Sequence, residues 1–108
     1  MSFSVSELPR AKADKWNIVS YIHERSPTGA AAWLNAYDRA IDQLRDRASS
    51  YALAPENRDL QMEVRQILFK TRRGRVYRAL FTIANDHAFV LRVRGPGQAP
   101  LQPEDLAG

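Results

Sequence analysis

The stretch Arg75-Val76-Tyr77-Arg78-Ala79-Leu80-Phe81-Thr82-Ile83-Ala84-Asn85-Asp86-His87-Ala88-Phe89-Val90-Leu91-Arg92-Val93-Arg94 decides the fold. It holds two runs rich in β-branched and aromatic residues, 75–84 and 87–94, joined by Asn85-Asp86, a pair whose side chains tolerate positive φ. This predicts an antiparallel hairpin. Side chains alternate along a strand, so Tyr77, Ala79, Phe81 and Ile83 should share one face, opposite Val76, Arg78, Leu80 and Thr82. In the second run Phe89, Leu91 and Val93 should oppose Val90, Arg92 and Arg94. A third strand-like run, 63–70, precedes the hairpin and sets Ile67 and Phe69 against Leu68 and Lys70.

Charge in this region is one-sided. From Val64 to Arg94 there are eight Lys and Arg residues and one acid, Asp86, a local charge of +7. The remaining eight bases and eleven acids sum to −3, which closes on the net +4 of the whole chain. The simplest packing lays the aromatic face on helices and leaves Lys70, Arg78, Arg92 and Arg94 on an uncovered face, edged by Arg72, Arg73 and Arg75 near Gly74. Clustered exposed cations destabilise one another by a few tenths of a kcal/mol per close pair, roughly. A counter-anion, with phosphate the natural one, would relieve that. Exposed strand cations also blunt sheet edges, but the alternation and the near absence of acids favour an anion site.

Upstream, Phe3 and Val5 alternate with serines as a short first strand. Pro9 suits the first turn of a helix, because its fixed φ fits there and its missing N–H would have had no helical acceptor. Ile18, Val19 and Ile22 give that helix a narrow apolar stripe, flanked by Trp16 and Tyr21. Ser26-Pro27 ends it and starts the next, since the residue before proline leaves the helical region and a serine can cap the new N-terminus. The second helix has Ala30, Leu34, Tyr37, Ile41, Leu44 and Ala48 on one face of a 3.6-residue period, with Asp38, Arg39, Asp42, Arg45 and Asp46 in water. A loop around Pro55 connects it to the sheet. Residues 1–97 thus form one α+β domain: an N-terminal strand, then a two-helix hairpin packed on an antiparallel three-stranded meander. Gly95-Pro96-Gly97 stops the sheet, and 98–108 reads as a flexible C-terminal tail.

A chain of 108 residues suits one core. It has no apolar run of the roughly 18 residues a bilayer requires and no secretion-signal pattern at its start, so a cytoplasmic protein without a membrane contact is expected. Zero cysteine excludes disulfides, thiolate catalysis and Cys-based metal sites, and two distant histidines leave no His-rich one. No metal or small-molecule cofactor is expected. His87 reads as a solvated turn residue and His23 as a helix-surface one. Tyr77 and Phe81 alternate with Arg78 but should point away from it, into the core. Trp33 borders the apolar stripe and reads as partly buried or as a partner contact.

The order strand, helical hairpin, loop and meander resembles the RelE/ParE toxin superfamily, in which plasmid stabilization proteins also fall. The resemblance rests on Ser26-Pro27 followed by Ala30-Ala31 and Leu34, on Gly74-Arg75-Val76-Tyr77-Arg78-Ala79-Leu80-Phe81, and on Val90-Leu91-Arg92-Val93-Arg94. It implies a type II toxin with a cognate antitoxin as partner. In the RelE-like branch such a toxin cuts messenger RNA in the ribosome by attack of a ribose 2′-hydroxyl on the adjacent phosphate, the activity expected first here. Arg78 would then stabilise the transition state and Lys70 would contact a second phosphate or take the proton. Lys70, Arg72, Arg73, Arg75, Arg78, Arg92 and Arg94 would hold RNA. The antitoxin would meet Arg78 with acids or anchor on Trp16 and Trp33. The 95–106 segment lacks the basic and tyrosine residues that assist RelE-like cleavage. The ParE-like branch, which inhibits DNA gyrase by binding and not as an enzyme, is the alternative; an inactive antitoxin-binding member is a third.

Overall fold

The computed structural model describes residues 2–59 and 62–106. The elements run β1 (Ser4–Glu7), α1 (Pro9–His23), α2 (Pro27–Arg47), β2 (Arg65–Phe69), β3 (Tyr77–Ala84) and β4 (His87–Arg94). Short 3₁₀ turns cover Ala48–Ser50, Pro55–Asp59 and Pro103–Leu106. The sheet order is β1-β4-β3-β2. β2, β3 and β4 form the expected antiparallel meander, and β1 adds a parallel strand on the far side of β4, with Val5 opposite Ala88.

Local chemistry explains the boundaries. Pro9 opens α1. The Ser26 Oγ accepts a hydrogen bond from the Gly29 amide at 2.9 Å, so the helical hairpin turns over a capped N-terminus with Pro27 in its first turn. Asn85 takes φ 56° in the β3–β4 turn, the left-handed conformation its side chain was expected to tolerate.

The main core lies between the helical hairpin and one face of the sheet. Trp33, Tyr37, Leu44, Ile67, Phe81, Val90 and Val93 are all buried there. Trp33 stacks on Tyr37 at 5.5 Å and meets Phe69 and Tyr77 edge-on. α2 buries Ala30, Trp33, Ala36, Tyr37, Ala40, Ile41 and Leu44 because it packs on α1, β1 and β2 at once, so its apolar stripe is wider than the sequence spacing suggests. Leu34 is only partly buried. Glu7 ties β1 to both helices: its carboxylate pairs with Lys15 at 3.1 Å and accepts from the Tyr37 hydroxyl at 2.5 Å. Burial and that bond both push the Tyr37 phenol up.

Two expectations about the sheet are corrected. β4 does not alternate strictly: Leu80 pairs with Arg92 while Phe81 pairs with Val90, so Leu91 is the extra residue of a β-bulge. The bulge puts Val90 and Val93 together in the helix-side core and turns Leu91 to the other face. That face is not uncovered either. Ala54, Val64, Leu80, Leu91 and Leu101 form a second buried cluster on it. The cover comes from the loop after α2 and from the C-terminal segment, where Leu101 is 4% exposed and residues 103–106 make a 3₁₀ turn. The described part of the segment read as a tail, 98–106, therefore lies against the sheet.

Candidate functional site

Register places Arg78 directly opposite Arg94 and, through the bulge, Arg92 opposite Leu80, so the three arginines share the face away from the helices. They are not free cations on it. Arg78 donates from its two Nη atoms to the Glu56 carboxylate at 2.8 and 2.5 Å, and from Nη1 to Gln66 Oε1 at 3.1 Å. Glu56 is buried, and the Leu101 amide donates to its Oε2 at 3.1 Å. The Arg78 hydrogen bonds are the main reason its carboxyl falls to about 2 from 4.5, against the opposing effect of burial.

Arg92 is held in the same way. Its Nε and Nη2 donate to the Asp14 carboxylate at 2.7 and 3.0 Å, which pushes the guanidinium pKa up. Asp14 Oδ2 also accepts from the Val93 amide at 3.0 Å. β1 pairs with β4 only as far as Val90, so this carboxylate satisfies an edge amide that β1 no longer reaches. Arg92 Nη1 donates to the Asp105 carbonyl and Arg94 Nη2 to the Ala99 carbonyl, at 2.9 and 2.6 Å. The expected open basic patch is thus closed from both sides: two carboxylates neutralise Arg78 and Arg92, and the C-terminal backbone takes up donors of Arg92 and Arg94. Glu56, Asp14 and Leu101 carry this arrangement, and none of them stands out in the sequence.

Of the cations expected on the sheet face and its edge, those left in water lie beyond the end of β2 and before the start of β3. Lys70, Arg72, Arg73 and Arg75 are exposed and, among the described residues, take part in no ion pair. Leu68 and Val76 beside them are 57% and 47% exposed. Of the two tryptophans, Trp16 is 53% exposed, with the Lys15 ammonium 5.1 Å from its ring centroid. Trp33 is 2% exposed, so it cannot act as a surface anchor and that expectation is corrected. His87 is part-buried, accepts or donates with Ser6 Oγ at 2.7 Å and stacks on Phe89.

A groove of about 660 Å³ opens between the second half of α1 and the ends of β3 and β4, with Ile18, Tyr21, Arg75, Tyr77, Pro96 and Gln98 among its walls. Gly95 makes its floor possible: a Cβ there would stand 2.9 Å from Tyr77 Cε2, so a side chain would displace the ring. No group of three or more His, Asp or Glu residues able to hold a metal occurs among the described residues. No helix among them is long and apolar enough to cross a membrane.

No family model matches this sequence, and no curated protein does. Among solved structures, a chain of the chromosomal ParDE TA system from P. aeruginosa matches with a TM-score of 0.68 at 19% identity, covering 87% of this chain and 96% of that one. The agreement extends over most of both chains. Strand, helical hairpin and four-stranded sheet together give this chain the RelE/ParE-like fold.

Proposed function

We propose that this chain is the toxin of a type II toxin–antitoxin pair, and that it halts growth by binding DNA gyrase and not by cutting messenger RNA. The likeness to a chain of a ParDE TA system supports the toxin reading. The state of Arg78 carries the choice of mechanism. Phosphoryl transfer needs cations aimed at a developing charge in a prepared site, whereas Arg78 and Arg92 already satisfy the carboxylates of Glu56 and Asp14. Freeing Arg78 would leave the buried Glu56 carboxylate without its counter-charge, a cost of about 3–5 kcal/mol. Lys70 takes part in no ion pair among the described residues, and the C-terminal segment brings no Lys, Arg, His or Tyr.

The test is a supercoiling assay with purified gyrase, run beside primer extension on transcripts from cells expressing the protein. Dose-dependent loss of supercoiling with intact transcripts is expected. Normal supercoiling at saturating protein, with transcripts cut at defined positions, would overturn the gyrase reading and restore Lys70 and the turn arginines as a nuclease site. Growth arrest relieved by the product of an adjacent reading frame would support the antitoxin partner, and harmless expression of the chain alone would count against the toxin reading.

A further inference from the structure

We infer that the groove between α1 and the ends of β3 and β4 is the docking site for an acidic segment of a partner protein, anchored by one apolar or aromatic side chain between Tyr21 and Tyr77. The inference rests on the antitoxin reading for the source of that partner, and adds where it sits and what chemistry it brings.

Three observations converge on the groove. Its size, about 660 Å³, falls in the range of roughly 300–1,000 Å³ typical of pockets that enclose a compact group. Its walls join aromatic and cationic residues, the combination that dominates the energetics of protein interfaces. Tyr21 is 59% exposed although it is a large aromatic residue, and Tyr77 forms the opposite wall.

Charge complementarity fixes the sign of the occupant. Arg75 lines the groove, and the Arg25 guanidinium lies over the Tyr21 ring at 4.1 Å. Neither arginine pairs with a carboxylate among the described residues, and Arg72 and Arg73 extend the same charge through the adjoining turn. Glu24, the nearest acid in sequence to Arg25, pairs with none of them. Unlike Arg78 and Arg92, these cations gain their first counter-charge only from outside. A nucleic acid would also bring negative charge. The protein segment is favoured because Ile18 and Pro96 add aliphatic wall to the two tyrosines, which suits an apolar side chain.

The test is fluorescence anisotropy on the intact protein with a labelled twelve-residue peptide rich in Asp and Glu around one central Trp. Three other probes accompany it: the peptide with Ser for Trp, the peptide with Lys for every acid, and a twelve-residue oligothymidylate. The acidic Trp peptide should bind, and Tyr21→Ser and Arg75→Glu should each weaken it about tenfold or more. Arg47→Glu, which removes an exposed cation on α2, should leave it unchanged. Tyr21 and Arg75 are exposed, so circular dichroism should show both variants folded. No binding, equal binding of the Ser or Lys peptide, indifference to both groove substitutions, or tighter binding of the oligothymidylate at the same residues would each overturn the inference. The assay contains neither gyrase nor cells, so its failure is separable from a failure of the toxin reading.

Discussion

The Glu56 carboxylate receives both Nη groups of Arg78 side by side while burying itself against the Leu101 amide. One carboxylate thereby joins the loop after α2, the third strand and the C-terminal segment, which are separated by 22 and 45 residues along the chain. The pair is a cross-brace and removes charge from the sheet face in the same act.

Acid should loosen that brace. The Glu56 carboxyl is lowered to about 2 in the folded chain from 4.5. A depressed folded value means that the group stabilises the fold above the unfolded pKa and ceases to do so as pH falls through the folded one. Stability measured by urea titration should therefore fall between about pH 4.5 and pH 2, by on the order of 3 kcal/mol. Glu56→Gln should flatten that part of the profile and lower stability at pH 7. An unchanged slope would show that other carboxylates govern acid unfolding.

The two tryptophans should respond oppositely to truncation. Trp33→Ala opens a cavity among Tyr37, Phe69 and Tyr77 and should cost about 3–5 kcal/mol in denaturant unfolding. Trp16→Ala, at an exposed position, should stay within about 0.5 kcal/mol.

Asp14→Ala removes two hydrogen bonds to Arg92 and the acceptor of the Val93 amide. It should destabilise the fold by about 1–3 kcal/mol. Hydrogen exchange should quicken at the Val93 amide more than at Ile67, two strands away on β2.

Leu101→Ala should reveal whether the C-terminal cover belongs to the folding unit. Leu101 is buried with Leu80 and Leu91, so truncation should cost about 2–5 kcal/mol and shift the unfolding midpoint in a single transition. A loss near zero would mean that the second cluster contributes nothing to cooperative folding.

What the sequence made legible was local. The Asn85-Asp86 turn, the Ser26 cap and the hydrophobic period of α2 are decided by residues within a few positions of one another, and each recurs in the structure. What it concealed was set by partners far along the chain. Nothing near Arg78 announces Glu56, and Asp14 lies 78 residues from Arg92. Alternation in β1 indicates a strand without naming its parallel partner β4. Val90-Leu91-Arg92-Val93 reads equally well as unbroken alternation, so the bulge had no signature. Trp33 was misjudged because a period can locate the centre of an apolar face but not its width. That width depends on how many elements close around α2.

The bulge at Leu91 has a consequence for how this chain can vary in length. Leu91 is the one residue of β4 without a partner across the ladder, so deleting it would leave Val90 opposite Phe81, Arg92 opposite Leu80 and Val93 opposite Ala79, each on the face it now occupies. The loss would fall on the second cluster, where Leu91 packs with Leu80 and Leu101. A shorter β4 would keep its frame and forfeit an apolar side chain, so the supernumerary position serves the cover on the far face and not the register of the strand.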